Sequence, residues 1–222
     1  MNESYHWNWQ NQGHQASTQN RQMTLIGDGV VLVEPNWARI RLGVVTADLS
    51  LKVSQQTNAN TMNDVIETIL EFRVPREHIQ TSEYTIRPLY DYTNGIEQFR
   101  SYEVNHMIDV QTDKINQIGE LIDAAVHSGA NRVIDVQFIL QDEGEYERIA
   151  LNRALEDAAQ KARSLAKTMN LTVITIPISI EEKVDYPPRL FQTAVQLDSF
   201  GATPIESGQL EIRAQVIAKF KY

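Results

Sequence analysis

The residues that could do acid–base chemistry are few once the first 22 positions are set aside. Three histidines follow, His78, His106 and His127. His78 comes directly after Glu77, and a histidine beside a carboxylate can transfer protons. No third group that would orient this pair is visible in the sequence, so we expect both side chains to be exposed. His106 lies on the apolar face of a strand pattern, where a histidine is more often a core residue with one hydrogen bond than a ligand.

Two aspartates, Asp109 and Asp135, lie on neighbouring strand patterns. Paired carboxylates can take separate acid and base roles when their environments push their pKa values apart. Asp109 falls on the polar face of its strand, and Asp135 falls opposite the apolar residues of its own. Solvated positions therefore explain both, and a functional pair is the alternative.

Gly27-Asp28-Gly29 suggests a phosphate-binding loop, but its context is wrong. A dinucleotide fingerprint needs a third glycine and a helix directly after it, whereas residues 30–33 continue a strand. A glycine bulge or a close backbone approach is the interpretation that fits. The chain has no cysteine, which excludes disulfides, thiolate nucleophiles, zinc–thiolate sites and iron–sulfur clusters. We therefore predict no catalytic residue, no metal and no cofactor.

Charge and hydropathy limit the classes of partner and the location that the protein can have. The net charge is −9, from 20 basic and 29 acidic residues, and this balance disfavours nucleic acid and anionic membrane surfaces. No apolar run approaches the roughly 18 residues of a membrane span. Residues 1–22 are rich in Asn, Gln, Ser and His and are predicted to be a mobile tail. They lack the basic and apolar parts of a secretory signal, which predicts a cytoplasmic protein.

Hydrophobic periodicity predicts an alternation of strands and helices. Strands are predicted at 23–33, 37–47, 79–91, 98–111, 132–140, 171–180 and 209–221. Helices are predicted at 55–72, between Thr112 and Gly129, and at 145–169. Asn94-Gly95 favours a hairpin turn, and Pro88 favours an edge or bulged strand.

Two features of the pattern concern assembly. Alanine recurs every four residues along the third helix and forms one gently winding seam: Ala150, Ala154, Ala158, Ala162 and Ala166. Small side chains allow another backbone to approach closely, either within the domain or at a subunit interface. The last strand is long and alternates almost without fault, so it must pair within the fold, beside the N-terminal strands, or across a subunit boundary.

Several short motifs follow one another in a characteristic order. They are Gly27-Asp28-Gly29 with Pro35, Ile79-Gln80-Thr81, Pro88-Leu89-Tyr90, Tyr102-Glu103-Val104, Ile118-Gly119-Glu120-Leu121-Ile122-Asp123, Gly129-Ala130-Asn131, Ala154 with Asp157-Ala158 and Lys161-Ala162, and Thr203-Pro204-Ile205 with Gly208. Together they span residues 23–222, and their order resembles the SIMPL-domain family, which includes bacterial periplasmic immunogenic proteins. The resemblance implies two intimately joined parts and a tendency to form large homo-oligomers. It implies no catalytic residues.

Together, the periodicity and the resemblance predict an α+β fold. It consists of two intimately joined two-layer α/β sandwiches with mostly antiparallel sheets, the second ferredoxin-like. The first part takes residues 23–101 and 205–222, and the second takes 102–181 in the order βαβαβ. Residues 182–204 are predicted to be a loop.

Three functions are compatible with these features. The leading hypothesis is a non-enzymatic, self-assembling protein with a stress-related or scaffolding role. The alternative is a module that binds a protein or small ligand through the 182–204 loop and the tail. An enzyme that uses polar residues near His78 or His106 is the third.

Overall fold

A computed structural model describes residues 21–93, 95–183, 189–191 and 203–222. The elements found there are β1 (Gln22–Val33), β2 (Trp37–Asp48), α1 (Leu51–Glu71), β3 (Ile79–Thr93), β4 (Ile96–Thr112), α2 (Ile118–His127), β5 (Arg132–Ile139), α3 (Gly144–Thr168), β6 (Ile174–Lys183), β7 (Arg189–Phe191) and β8 (Gln209–Lys221). Single turns of 3-10 helix precede β3 and α2. The predicted α+β class is confirmed.

One sheet has the strand order β3-β4-β2-β5, and its neighbouring strands are antiparallel. With α1 and α2 the chain order is βαββαβ, which is the ferredoxin-like arrangement. Alternate residues of β2 point toward the helices, as the period of two predicts. Leu42 of β2, Ile69 of α1 and Leu121 of α2 belong to one core of large apolar side chains.

The helix α2 ends at His127, and Gly129 follows as the terminating glycine, as predicted. This glycine has φ +108°, a left-handed conformation that glycine adopts without strain. The N–H of Gly129 donates to the carbonyl of Val126, and the N–H of Ala130 donates to the carbonyl of Ala125, each at 3.0 Å. These two bonds form a Schellman cap, and they turn the chain toward β5.

The hairpin predicted at Asn94-Gly95 is present, with Thr93 paired to Ile96. Gly95 has φ +79°, and Asn94 lies outside the described residues. β3 is an edge strand, and its register shifts between Leu89 and Tyr90. The prediction from Pro88 is therefore confirmed, because a residue without an N–H is tolerated at an edge or bulge.

The other sheet has the strand order β1-β8-β6, with β7 also paired to β8. The last strand therefore pairs inside the fold and beside the N-terminal strand, which was one of the two predicted arrangements. Ala154 and Ala158 of α3 pack against Val216 and Phe220 of β8.

The described chain divides into two compact units. The first unit takes the described residues of Met1–Gly29, Leu151–Asp185 and Ala214–Tyr222, and the second unit takes those of Val30–Ala150 and Tyr186–Arg213. This grouping differs from the predicted division between residues 101 and 102. Ser101 and Tyr102 are consecutive in β4, which pairs with both β3 and β2, so a boundary there would cut through a sheet. The ferredoxin-like unit is consequently built from β2 to β5 and not from residues 102–181.

Candidate functional site

The predicted carboxylates Asp109 and Asp135 both lie opposite Arg41. In the register, Arg41 of β2 faces Asp109 of β4 on one side and Asp135 of β5 on the other. Arg41 donates from Nε to Asp109 Oδ1 at 2.7 Å and from Nη2 to Asp109 Oδ2 at 2.8 Å. A guanidinium therefore separates the two carboxylates, and they do not form an acid–base dyad.

This ion pair determines the protonation of its members. The hydrogen bonds from Arg41 hold the pKa of Asp109 below its usual range, and the same contact raises the pKa of Arg41. Asp109 is thus a carboxylate at neutral pH and an unsuitable general acid. The bidentate contact ties β2 to β4.

The two histidines considered for acid–base work occupy structural positions. Burial lowers the pKa of His106, its Nε2 lies 3.3 Å from Thr81 Oγ1, and its ring meets that of Tyr84 edge-on at 5.2 Å. His106 is therefore a partly buried residue with one hydrogen bond, as expected. Glu77 and His78 share the turn before β3, but no hydrogen bond or ion pair joins their side chains.

A cavity of about 410 Å³ lies beside Trp37 and His78 in the second unit. The His78 ring meets that of Trp37 edge-on at 5.0 Å, and no described residue hydrogen-bonds to the buried His78 Nδ1. Arg39, Gln111 and Glu143 also line this cavity. Within the described chain neither Arg39 nor Glu143 takes part in an ion pair.

Gly27 lies where β1 crosses α3 in the first unit. A Cβ at this position would lie 2.0 Å from the carbonyl oxygen of Ala154 and 2.8 Å from the Cβ of Ala158. The close approach predicted for Gly27-Asp28-Gly29 is confirmed, and no helix begins after it. The glycine serves strand–helix packing, because only hydrogen fits between the two backbones.

Polar contacts close around the same crossing. The backbone N–H of Asp28 donates to Asp157 Oδ2 at 2.9 Å, and Gln215 Nε2 donates to Asp28 Oδ1 at 2.7 Å. Lys161 Nζ donates to the carbonyl of Ile26 at 2.9 Å and lies 2.6 Å from Asp157 Oδ2. Burial alone would raise the pKa of Asp157, but the bonds from Lys161 and Asp28 outweigh it and lower that pKa. Asp157 and Lys161 are four residues apart in α3, a spacing that places both side chains on one helical face.

The alanine seam of α3 is buried within the single chain. Ala150, Ala154, Ala158 and Ala162 are 0% exposed, and Ala166 is 3% exposed. Three of these alanines pack against β8 in the first unit, which corresponds to the intradomain alternative. A subunit interface that involves this helix stays a prediction.

A clamp that the sequence analysis missed joins α2 to Thr203 in the second unit. Thr203 donates from its backbone N–H to Asp123 Oδ2 at 3.0 Å and from Oγ1 to Asp123 Oδ1 at 2.6 Å. These hydrogen bonds lower the pKa of Asp123, and the bond from the Thr203 hydroxyl has the larger effect. A Cβ on Gly119 would lie 2.3 Å from the Thr203 carbonyl oxygen. The available signal was the spacing of Gly119 and Asp123, four residues apart on one helical face.

A second missed feature is the apolar surface of β6 in the first unit. Four isoleucines of this strand are more than half exposed: Ile174 54%, Ile176 76%, Ile178 52% and Ile180 52%. β6 is the edge strand beside β8, and its register with β8 is broken between Ile174 and Ser179. The available signal was isoleucine at every second position from 174 to 180.

Two kinds of site are absent from the described residues. No group of three or more His, Cys, Asp or Glu side chains is placed to hold a metal ion there. None of the described helices is both long and apolar enough to span a membrane. The predicted 182–204 loop and the tail fall largely outside the described part of the chain, as do any contacts that they make.

Comparison with known proteins gives a family and two relatives. Residues 23–220 match the family model described as SIMPL, a protein of unknown function (DUF541). The chain is 21% identical to the 26 kDa periplasmic immunogenic protein of Brucella melitensis biotype 1, over 95% of this chain and 88% of the relative. The protein of the same name from Brucella abortus strain S19 matches with the same identity and coverage.

The comparison corrects one prediction. The cytoplasmic location was wrong, because both of these relatives are named as periplasmic proteins. That prediction rested on the first residues alone, which carry no information about the fold that the relatives share.

Proposed function

The chain belongs to the SIMPL family, whose function is unknown, and we propose that it acts without catalysis by associating with further copies of itself through β6. The observation that carries this proposal is the set of four isoleucines, each more than half exposed, on one edge strand of the first unit. Large exposed apolar patches are rare on proteins that act alone, and they mark interaction surfaces.

The order of residues in β6 favours a second copy as the partner. The segment Ile174-Thr-Ile-Pro-Ile-Ser-Ile180 reads almost identically in both directions about Pro177. Two copies related by a two-fold axis through Pro177 would place Ile174 against Ile180 and Ile176 against Ile178. A two-fold interface requires such self-complementarity, because the same patch meets itself.

The strand β6 favours association through side-chain contacts and not through backbone pairing. Pro177 has no N–H to donate to a neighbouring strand, and the register with β8 is irregular around it. Proline and bulges are features by which edge strands resist backbone pairing. We therefore propose that the isoleucine side chains pack against each other across the interface.

Light scattering and native mass spectrometry of the full chain at micromolar concentration test this proposal. The wild-type chain is expected to be multimeric. The double variant Ile176→Lys, Ile178→Lys is expected to weaken association at least about a hundredfold, because burial of each isoleucine contributes about 1.5–3 kcal/mol.

Leu165→Lys is the matched control, since Leu165 is 44% exposed on α3 of the same unit. This variant should keep the wild-type mass. A strictly monomeric wild-type chain would refute the proposal, and so would a double variant that keeps the wild-type mass and the folded circular-dichroism spectrum.

The geometry supports a non-catalytic role in two further ways. In the described chain Asp109 and Asp135 are separated by Arg41, and the Glu77–His78 pair is not formed. Self-association without catalysis is the property of a scaffold, and we include a scaffolding role in the proposal.

We also propose a periplasmic location, which rests on the names of the two Brucella relatives. Fractionation of the native cells with an antibody to the chain would test it. Release by osmotic shock is expected, and retention with cytoplasmic markers would contradict it.

A further inference from the structure

The cavity beside Trp37 combines three kinds of lining group in the second unit. Trp37 and Ile139 supply an apolar wall, Arg39 supplies a cation, and Glu143 supplies an anion. Its volume of about 410 Å³ falls in the range of pockets that hold small organic molecules. Such pockets combine apolar surface with polar groups that fix orientation, and polar residues form the larger part of this lining.

The two charges in this cavity form no ion pair within the described residues, although Arg39 acts electrostatically on Asp109 and helps to lower its pKa. Arg39 and Glu143 are both half-buried, and neither forms an ion pair with any residue of the described chain. The contrast with Arg41, the neighbouring arginine on the same face of β2, is direct, because Arg41 is held by both oxygens of Asp109. The guanidinium fork of Arg39 is thus not in direct contact with a carboxylate of the described residues, and its planar geometry suits a ligand carboxylate.

A second observation comes from the wall formed by His78. The Nδ1 atom of this ring is buried and lacks a hydrogen-bond partner among the described residues, although buried polar atoms ordinarily have one. The edge-on contact with Trp37 holds the ring at the cavity. Among the described residues, the cavity wall therefore contains two charges outside any ion pair and one buried polar atom without a hydrogen bond, beside an aromatic surface.

We propose that this cavity binds a small zwitterion with a flat apolar group, of the class of the aromatic amino acids. The ligand carboxylate binds the guanidinium of Arg39, and its ammonium group binds Glu143. Its apolar group packs against Trp37 and Ile139. Binding at this site is independent of the self-association proposed for β6.

Calorimetric titration of the full chain with three probes tests the assignment of charges. L-Phenylalanine carries both charged groups, 3-phenylpropanoate lacks the ammonium group, and 2-phenylethylamine lacks the carboxylate. Because a hydrogen-bonded charge contributes tenfold or more to affinity, L-phenylalanine should bind about tenfold more tightly than either of the others. Addition of L-phenylalanine should also shift the indole N–H signal of Trp37 in the NMR spectrum. That signal is assigned by its absence from the spectrum of the Trp37→Phe variant.

Variants locate the two charges. Arg39→Gln should weaken the binding of L-phenylalanine by about tenfold and should abolish the gain in affinity that the ligand carboxylate gives. Glu143→Gln should weaken that binding by about tenfold and should abolish the gain that the ligand ammonium group gives. The matched controls are Arg132→Gln, on β5 away from the cavity, and Glu145→Gln, two residues beyond Glu143; both side chains are exposed. The controls should bind like the wild-type chain.

Three outcomes would overturn the proposal. One is the absence of saturable binding by all three probes together with an unmoved Trp37 signal. Another is equal affinity for the three probes on the wild-type chain, a result that does not depend on how any variant folds. The third is binding of L-phenylalanine that Arg39→Gln and Glu143→Gln leave unchanged while their melting temperatures match the controls.

Discussion

The two units pack helix on sheet in opposite ways. In the second unit, α1 and α2 meet the sheet through large side chains such as Leu42, Ile69 and Leu121. In the first unit, α3 meets its strands through Ala154, Ala158 and the glycine at position 27. One interface is filled by side-chain volume, and the other is formed by backbones that approach closely.

This difference shows what each interface tolerates. A core of large side chains loses stability when atoms are removed, because a cavity remains. A contact between backbones has little side-chain volume to lose, and it fails when atoms are added. The first unit adds polar bonds around the crossing, where Lys161 and Asp157 tie α3 to β1.

The largest expected effect comes from truncation in the second unit. Leu42 is 0% exposed, and Leu42→Ala should lower the free energy of unfolding by about 3–4 kcal/mol, through lost burial and the cavity that remains. The equivalent truncation in the first unit, Ala158→Gly, should lower it by about 1 kcal/mol, mainly through helix propensity. Guanidinium unfolding curves measure both changes. Leu165→Ala, at an exposed position of α3, should change stability little, and equal effects of Leu42→Ala and Ala158→Gly would contradict the comparison.

A substitution that adds side-chain atoms tests the close backbone contact in the first unit. Gly27→Val places a branched side chain where a Cβ would already lie 2.0 Å from the Ala154 carbonyl. The strand must move, and stability should fall by about 3 kcal/mol, at the upper end for overpacking. Hydrogen exchange should rise in β1 and α3, which shows where the packing fails. Thr24→Val adds the same side chain at an exposed position of β1 and should leave exchange there unchanged; a Gly27→Val chain as stable as this control would show that the contact is not tight.

The smallest effect is the pH dependence of the two surface ion pairs, Arg41–Asp109 and Lys161–Asp157. Each aspartate has a folded pKa below its ordinary value of 3.8. Both are ionised in the folded and the unfolded chain above that value, where the stabilisation is fully present. It is lost as the pH falls below 3.8 toward the folded pKa.

Unfolding curves measured between neutral pH and pH values below the ordinary pKa check this expectation. Arg41→Gln and Lys161→Gln should each make stability less dependent on pH in the acid range. Salt should also weaken both pairs, because they lie at the surface. If the free energy of unfolding of both variants fell with decreasing pH as steeply as that of the wild-type chain, these ion pairs would not contribute to the pH dependence.

Local patterns predicted the elements well and their partners poorly. The strand predicted at 209–221 is observed at Gln209–Lys221, because strict alternation over that length has one structural solution. The helix predicted at 145–169 is observed one residue earlier, at Gly144–Thr168. The division between residues 101 and 102 was misplaced, because no periodicity reports that β4 pairs with both β3 and β2.

The candidate sites show the same limit. Asp109 and Asp135 were correctly placed on polar faces, but the guanidinium of Arg41 between them depends on the register of three strands. The cavity beside Trp37 joins residues from β2, the turn at His78 and the segment after β5. The proximity of residues so far apart in the chain follows from the strand order, which the local sequence pattern does not reveal.

The sequence by itself determined the chemistry available to this protein. Without cysteine it has no thiolate site, and the spacing of Gly27 among β-strand residues already excluded a phosphate loop. Within the described residues, the tertiary structure alone decided which side chains are exposed or lack a direct ion pair: the isoleucines of β6 are exposed at an edge, and Arg39 lies beside a cavity outside any ion pair. The physical reason is that residue type and period are local properties, whereas burial and pairing depend on what the rest of the chain brings into contact.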